Sequence, residues 1–551
     1  MTYLLARDEK KESTVTASSK DIIERVFPMC RSMLDSSTWE GMLEACEGKP
    51  QPESFPKTLA LHLGDLGLPD FLPELARLEL TFHAVTAKVV DTPPEFSELI
   101  VNPTLQLLQL SFKNLASIPC PGGKKRRLKP EPGEEWVLLW RDPQTGMGKM
   151  QPATDEDLLV LKMVVEGIDA EETATTGGVP VGAVDSAMDR AIFRGILLAP
   201  PSLIRRDPES FPAEASLDEH FLTTTVFTLQ WHITNACDLH CKHCYDRTKR
   251  SPLKLKHAIE ILHDLRAFCR DRHVAGQVSF TGGNPLLYPE FLDLYRAASE
   301  TGFTIAILGN PAPRERIEEL LAIQRPVFYQ VSLEGLKEQN DLIRGVGHFD
   351  RVIEFLSVLR DLNVYAMVML TLTKDNIDQV IPLAEILRDK ADNFTFNRLS
   401  MVGEGANLRL PGRDEYAAFL ESYVAAAESN PIIGLKDNLI NVLRYHNGTE
   451  LFGGCTGYGC GAAFNFLALL PDGEVHGCRK FPSLIGNVYE QSLSSIYDSE
   501  LARRYRRGSS ACRSCTIRPV CGGCLASAFS SGLDIFEERD PYCFIDSELR
   551  T

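Results

Sequence analysis

Apolar and polar positions follow different repeats in different parts of the chain. In "SSKDIIERVFPMCRSML" and "FLPELARLELTFHAVTAKVV", apolar residues recur three and four positions apart, as in an amphipathic helix. These segments predict a mostly helical N-terminal domain over residues 1–118. A Pro-, Gly- and Lys-rich segment then predicts a linker over residues 119–134.

Residues 135–215 predict a small module of strands and helices. Two short strands flank a turn, and Thr154 and Asp157 can cap the helix that follows, which Gly167 can end. Further helical segments and a short strand complete the outline of a winged-helix module. Such a module can be a packing domain or a DNA-binding domain, and the acidic "EGIDAEETATT" argues against DNA.

Strands and helices alternate over residues 222–400. The predicted strands are 225–233, 276–281, 303–309, 327–333, 363–372 and 393–399, and the helices lie near 254–270, 288–301, 313–324, 349–361 and 376–389. This order implies a parallel sheet with right-handed crossovers. Because candidate functional residues follow several successive strands, the α/β fold predicted is a partial (β/α)6 TIM-like barrel.

The last part of the chain has a different pattern. Residues 401–452 predict a helical bridge, whereas residues 453–551 are Gly- and Cys-rich with few long periodic segments. Such a region builds little apolar core, so we expect it to need metal to fold. No stretch approaches the roughly 18 apolar residues of a spanning helix.

Composition and charge restrict the partners of the protein. The 551 residues carry a formal net charge of -17, which disfavours nucleic acid and anionic membranes because phosphate binding needs a basic face. The basic run from Lys124 to Lys129 fits a solvated linker. The first residues contain too short an apolar piece for a secretion signal, so we expect a cytoplasmic protein. Thiols stay reduced there, and the fifteen cysteines need an explanation other than disulfides.

Only Cys30, Cys46, Cys120 and Cys269 are scattered, and the other cysteines form two groups. In the first group, within "NACDLHCKHCYD", the spacing is C-x3-C-x2-C, and the members are Cys237, Cys241 and Cys244. Three thiolates are one too few for a closed zinc site, although His240 and His243 could complete one. The spacing alone therefore leaves zinc and an iron–sulfur cluster open.

"WHITNACDLHCKHCY" after one strand and "SFTGGNP" at the end of the next closely resemble the radical S-adenosylmethionine (radical SAM) enzymes. In that family the three thiolates bind a [4Fe–4S] cluster, and SAM occupies the fourth iron. The resemblance implies that reductive cleavage of SAM gives a 5′-deoxyadenosyl radical, which removes a hydrogen from a substrate. It also implies an electron donor such as flavodoxin or ferredoxin.

The resemblance further implies residues that bind SAM. The family has an aromatic residue near the adenine after the third cysteine, here Tyr245, and Gly-Gly-Glu-Pro where this chain has Gly282, Gly283, Asn284 and Pro285. The two glycines would let the backbone approach the methionine end of SAM, and Asn284 in place of glutamate would accept a hydrogen bond from the SAM amino group without charge assistance. By the same resemblance Asn310 follows the third strand, Ser332 and Glu334 face the ribose, and Arg344 and Arg398 are partners of the SAM carboxylate. Each of these five could instead have a structural role. No catalytic side chain is predicted.

The second cysteine group resembles the SPASM extension of radical SAM peptide-modifying enzymes. Gly473 lies five residues before one of its cysteines, as in that extension, and one x2 spacing replaces the usual x3. By resemblance, two auxiliary [4Fe–4S] clusters are held by Cys455, Cys460, Cys478 and Cys524 and by Cys512, Cys515, Cys521 and Cys543. Without Cys455, the first of these clusters would have an open iron for a substrate thiolate. Two structural zinc sites are the alternative.

The resemblance covers about residues 222–545 and implies maturation of a ribosomally made precursor peptide, with a thioether crosslink at cysteine as the leading chemistry. The winged-helix outline implies binding of the peptide's leader as an added strand. The "TGGNP" variant and the long N-terminal extension resemble maturases of selenobiotic-type peptides.

Three alternatives remain. Formylglycine-forming enzymes place an Asp base where this chain has Arg479, which cannot act as a base. Oxidation of a peptide tail, as in redox-cofactor biosynthesis, is the second alternative. A non-catalytic iron–sulfur electron-transfer protein is the third, and the intact cysteine loop argues against it.

Overall fold

The structure, a computed structural model, describes residues 19–45, 51–87, 96–118, 129–211 and 217–545. The chain forms two compact units, Met1–Pro201 and Ser202–Thr551. Among the described residues, no helix combines the length and the apolar character that crossing a membrane requires.

The first unit is built around an antiparallel sheet. Its helices and strands begin with α1 (Ser19–Val26), α2 (Pro28–Met33), α3 (Ser36–Ala45), α4 (Phe55–Leu61), α5 (Leu72–Ala87), β1 (Ile100–Val101) and β2 (Gln106–Lys113). They continue with β3 (Glu131–Arg141), β4 (Gly148–Pro152), α6 (Asp155–Glu166), α7 (Ala170–Gly177), α8 (Val181–Phe193) and β5 (Leu197–Leu198). The sheet order is β2-β3-β4, and β1 pairs with β5.

Helices pack against both faces of strand β3. Val137 and Leu139 belong to the apolar core formed with helices α1 to α5, which includes Trp39. Leu138 and Trp140 belong to a second core with helices α6 and α8. Successive side chains of a strand point to opposite faces, so this one strand anchors both helical layers.

Several local predictions for the first unit are confirmed. The predicted strand pair is present, and Thr154 and Asp157 form the reciprocal cap of α6, with backbone-to-side-chain distances of 3.0 and 3.1 Å. The helix ends at Gly167, which has a φ of 69°.

Two predictions for this unit are wrong in part. The predicted helical domain contains β1 and β2, because the leucines of "LQLLQLSF" suit both a helical and a strand repeat. The predicted linker is already strand from Glu131 onward, while residues 119–128 lie outside the described part of the chain.

The second unit contains the predicted partial barrel. Its parallel strands are β6 (Val226–Thr234), β7 (Ala275–Gly282), β8 (Thr304–Leu308), β9 (Tyr329–Ser332), β10 (Ala366–Leu372) and β11 (Asn393–Arg398). The helices are α9 (Leu255–Asp271), α10 (Phe291–Glu300), α11 (Arg314–Leu321), α12 (Lys337–Arg344), α13 (His348–Asp361) and α14 (Val380–Leu387). Consecutive strands are neighbours in the sheet, which confirms the predicted α/β fold.

The cysteine-rich region continues the barrel sheet, which was not predicted. The bridge helices are α15 (Arg413–Ser429) and α16 (Ile440–His446), followed by β12 (Phe466–Leu469), β13 (Glu474–His476), β14 (Leu484–Asn487), α17 (Leu493–Tyr497), α18 (Glu500–Arg507) and α19 (Leu525–Ser530). Strand β12 pairs in parallel with β6, and β13 and β14 extend the sheet to nine strands. Helices α15 and α16 lie within the segment for which a helical bridge was predicted.

Candidate active site

A cavity of about 540 Å³ lies at the carboxyl ends of the barrel strands. Cys237, Cys241 and Cys244 line it from the loop after β6. Cys237 is exposed and the other two are half-buried. The carboxyl ends of parallel β/α strands are where such folds place their active sites, so the cavity is the candidate active site.

Asp238 holds the cysteine loop in place, and the sequence analysis did not identify it. Its Oδ1 accepts hydrogen bonds from Nδ2 of Asn284 at 2.9 Å and from Nδ2 of Asn310 at 2.7 Å. These bonds connect the loop to the ends of β7 and β8. They also explain Asn284, because a glutamate there would bring a second carboxylate against Asp238, whereas an amide donates to it.

Two glycines of "TGGNP" allow the backbones of neighbouring loops to meet. A Cβ on Gly282, whose φ is 138°, would lie 2.2 Å from the carbonyl oxygen of Thr234, and one on Gly283 would lie 2.2 Å from that of Ala236. The amide of Gly283 donates to the Thr234 oxygen at 2.8 Å. These glycines therefore position the cysteine loop, beyond the predicted role of admitting SAM.

The structure brings most of the predicted SAM-binding residues to this cavity. Those that line it are Tyr245, Gly282, Gly283, Asn310, Ser332, Arg344 and Arg398. Asn284, Pro285 and Glu334 do not line it, and Asn284 and Glu334 are only 4% and 1% exposed. The predicted contact of Asn284 with the SAM amino group therefore has no support in this geometry, since its side chain faces Asp238.

Glu334 positions Arg344 instead of facing a ribose. Its Oε1 accepts from Nη2 of Arg344 at 2.7 Å, and its Oε2 accepts from the amide of Thr371 at 2.7 Å. Burial would raise the pKa of Glu334, but the nearby charges of His243 and Arg344 outweigh burial and lower that pKa. Nη1 of Arg344 lies 3.8 Å from Sγ of Cys241, so its charge stabilises a thiolate there.

Arg398 has other partners than the predicted SAM carboxylate. Its Nη1 and Nη2 donate to the two carboxylate oxygens of Asp540 at 2.8 and 2.7 Å, and its Nε donates to Asp437 at 2.9 Å. Oδ2 of Asp540 also accepts from the amide of Cys524 at 2.9 Å. Arg398 as a whole is 6% exposed. Its guanidinium links the end of β11 to the cysteine-rich region.

A histidine lies beside the predicted adenine-facing tyrosine. Oη of Tyr245 is 3.1 Å from Nε2 of His232, at the end of β6. Burial, with the charge of Arg479, lowers the pKa of His232 to about 3, so its imidazole is neutral. Burial also raises the pKa of Tyr245 to about 12. The pair therefore acts as a neutral hydrogen-bonded unit in the cavity wall.

The downstream cysteines meet in two sets of four, the same sets that the resemblance implies. A cavity of about 120 Å³ is lined by Cys455, Cys460, Cys478 and Cys524. A smaller one of about 20 Å³ is lined by Cys512, Cys515, Cys521 and Cys543. Burial is the main cause that raises the pKa of the Cys460 thiol to about 12 and that of the Cys512 thiol to about 11.

The two four-cysteine sets consist of thiols alone. Among the described residues, no compact group of three or more His, Cys, Asp or Glu side chains is placed to hold a single metal ion. Sets of thiolates alone, spread around a cavity, are the usual ligands of iron–sulfur clusters.

Comparisons with known proteins agree with this site. The family model of the radical SAM superfamily matches residues 231–387, and that of the SPASM iron–sulfur cluster-binding domain matches residues 460–516. The chain is therefore a radical SAM enzyme. Its radical SAM domain, which binds SAM and a [4Fe–4S] cluster, is followed by a SPASM domain, which binds auxiliary iron–sulfur clusters.

Two curated relatives and one solved structure are similar to this chain. Mycofactocin maturase MftC of Mycolicibacterium smegmatis is 29% identical over 338 residues, covering 57% of this chain and 82% of its own. The antilisterial bacteriocin subtilosin biosynthesis protein AlbA of Bacillus subtilis is 25% identical over 335 residues, covering 57% and 71%. The crystal structure of Streptococcus suis SuiB bound to precursor peptide SuiA has a TM-score of 0.50 at 19% identity, covering 74% of this chain and 96% of that one, and supports the fold.

Proposed function

We propose that this enzyme matures a ribosomally made precursor peptide by forming a thioether crosslink at one of the peptide's cysteines. The observation that supports the proposal most is that the two cysteine-lined cavities share a wall. Asn397, Arg398, Arg479 and Lys480 line both the cavity of the three-cysteine loop and the first four-cysteine cavity. The similarity to a bacteriocin biosynthesis protein and to a structure with a bound precursor peptide supports a peptide substrate.

The residues of the larger cavity have holding and orienting roles. Bound SAM with its cluster supplies, on reduction, a carbon radical that removes a hydrogen atom from a nearby C–H bond. Cys237, Cys241 and Cys244 are the cluster ligands in this proposal, and Tyr245 and Arg344 are among the residues that orient SAM. The walls keep water out and place one C–H bond nearest to the reactive carbon.

The chemistry requires a second oxidation step. A thioether joins sulfur to carbon with the loss of two hydrogens from the peptide. One leaves as a hydrogen atom, and the other leaves as a proton from the thiol and an electron. The first four-cysteine cavity borders the larger cavity, so its ligands are placed to hold a group that takes up this electron.

Leader recognition is proposed for the first unit. Strands β2 and β4 are the outer strands of its sheet, and an extended peptide can add to such an edge. The buried core of the second unit runs from Ile204 onward, so we expect it to fold without the first unit. Deleting residues 1–201 should weaken binding of a full precursor peptide and leave binding of a leaderless peptide unchanged. Equal weakening of both would contradict leader recognition.

The test of the proposed function uses a candidate precursor, a cysteine-containing peptide from a short open reading frame sought next to the gene. The anaerobically reconstituted enzyme is incubated with this peptide, SAM and a reducing partner such as flavodoxin or ferredoxin, and the peptide is analysed by mass spectrometry. The expected product has lost two hydrogens and has one cysteine that no longer reacts with iodoacetamide. Consumption of SAM with an unchanged peptide, or a mass loss that includes sulfur, would contradict thioether formation.

A further inference from the structure

The wall between the two cavities contains two cations that have no carboxylate partner among the described residues. Of its three cations, Arg398 is paired with Asp437 and Asp540. Arg479 and Lys480 are half-buried, and within the described part of the chain neither side chain has a hydrogen-bond or ion-pair partner. This is unusual in a protein with a net charge of -17, where carboxylates are abundant.

A further cation, Lys436, lies close to the same wall. Lys436 lines the first four-cysteine cavity together with Arg479 and Lys480. Burial is the main cause that lowers the pKa of Lys436 to about 8, and the like charges of Lys480 and Arg479 act in the same direction. The three cations are therefore near enough to repel one another. Holding like charges together in a partly desolvated place costs free energy unless an anion joins them.

The cations face two different directions. Lys436 and Lys480 line the first four-cysteine cavity together with Cys455 and Cys478. Their positive charges therefore favour thiolates in that cavity. Arg479 also lines the larger cavity, together with His232 and Tyr245, and after burial its charge is the main cause that lowers the pKa of His232. Its charge thus acts where the substrate would lie.

We propose that Arg479 binds a carboxylate of the substrate peptide at the passage between the two cavities. A guanidinium can hold a carboxylate through two parallel hydrogen bonds, which fixes orientation as well as position. Such a contact would place the neighbouring peptide residue beside the reacting carbon of SAM. The carboxylate comes either from an aspartate or glutamate side chain or from the peptide's own C terminus. This inference rests on the proposed peptide substrate and adds its recognition chemistry.

The experiment measures which peptides the holoenzyme selects in the absence of reductant. The probe is a synthetic pool of random eight-residue peptides, prepared once with free and once with amidated C termini, and bound peptides are sequenced by mass spectrometry. The wild-type enzyme should enrich aspartate or glutamate in the amidated pool, or should prefer the free-acid pool, by about tenfold or more. The first result identifies a side chain, and the second identifies the C terminus.

Substitutions of Arg479 then show whether its side chain recognises the peptide carboxylate or only stabilises the fold. Arg479→Gln should remove the enrichment, Arg479→Lys should keep part of it, and Arg479→Glu should shift it toward lysine and arginine. Arg503→Gln, a change at an exposed arginine of α18, is the matched control and should select as the wild type does. The iron content of each variant shows that it has folded.

The outcomes distinguish this inference from the proposed function. Peptides that bind without a carboxylate preference, or a preference that survives Arg479→Glu, would overturn the inference and leave the peptide substrate standing. So would a loss of SAM affinity in Arg479→Gln with an unchanged peptide preference, which would assign Arg479 to the SAM carboxylate. If the wild type selects no peptide from either pool, no carboxylate is recognised at this wall and the inference is overturned, whereas the proposed function is decided separately by the mass of the precursor peptide after incubation.

Discussion

The two cysteine groups differ in how open their surroundings are. The first lines a cavity of about 540 Å³ and includes the exposed Cys237. The second lines cavities of about 120 and 20 Å³, and includes the buried Cys521. An open site admits a reactant, whereas an enclosed one holds its group on all sides. We therefore expect cysteine to serve reactivity in the first group and structure or electron transfer in the second.

The groups also differ in what holds them. The first loop is held by Asp238, which accepts hydrogen bonds from side chains at the ends of the next two strands, 46 and 72 positions later. The second group depends on contacts between distant segments, such as that of Arg398 with Asp540, 142 positions later. We therefore expect substitutions in the first group to remove activity and those in the second to remove stability as well.

The largest expected effect is on the first group. Replacing Cys237, Cys241 and Cys244 together with alanine should abolish SAM cleavage, because no thiolate remains to hold the reactive cluster. Iron should fall from about twelve to about eight per chain, since each cluster contributes four. Iron analysis and chromatography of 5′-deoxyadenosine measure both quantities. Loss of all iron would show that the two groups do not fold independently.

Cys521→Ala should act mainly on stability. Cys521 is buried, and its set lines the smaller cavity, so loss of this ligand should destabilise the region that metal binding holds together. The thermal midpoint should fall by about 5 °C or more. Cys269→Ala, at a buried cysteine of α9 outside both groups, is the control and should keep its full iron content. A normal midpoint in Cys521→Ala with iron reduced would mean that this site is not structural.

Arg398→Gln should destabilise the junction between β11 and the cysteine-rich region. It leaves Asp540 and Asp437 without their buried partner, which typically costs about 3–5 kcal/mol. Arg388→Gln is the control, because its ion pair with Glu385 is exposed and contributes about 0–1 kcal/mol. Urea unfolding followed through the visible absorbance of the clusters compares the two. Equal midpoints would refute a structural role for Arg398.

The smallest effect concerns the order in which the clusters are lost. Brief exposure of the holoenzyme to air should free the cysteines of the first group several-fold faster than the others, because Cys237 is exposed and the first cavity is open. Alkylation of freed thiols followed by peptide mapping measures the order. Earlier labelling of Cys512 or Cys521 would reverse the comparison.

Local patterns were sufficient to predict the barrel, whereas the division of the downstream cysteines into two sets came from the resemblance. The strands of the barrel are apolar runs separated by helices of regular repeat, and the three cysteines of the first group lie in one loop. Strand β12 was missed because four consecutive buried residues show neither repeat. Helix α12 was missed because "KEQNDLIR" contains few apolar residues to reveal a period.

The partners of individual polar side chains could not be predicted. Glu334 was assigned to SAM from its place after a strand, yet it is buried outside the cavity and accepts a hydrogen bond from Arg344, which does line the cavity. Arg398 was assigned in the same way, but its partners lie 39 and 142 positions away, and no spacing rule connects such distances. The residue type and the strand end were predictable, whereas the pairing depends on the tertiary fold.

The most direct test of the account follows the hydrogen that leaves the peptide. The precursor peptide is made with deuterium at its non-exchangeable positions and incubated with enzyme, SAM and reductant. We predict that the recovered 5′-deoxyadenosine carries deuterium in proportion to the crosslinked peptide, since the enzyme removes hydrogen from a peptide carbon. Crosslinked or unmodified peptide alongside 5′-deoxyadenosine without deuterium would contradict that claim.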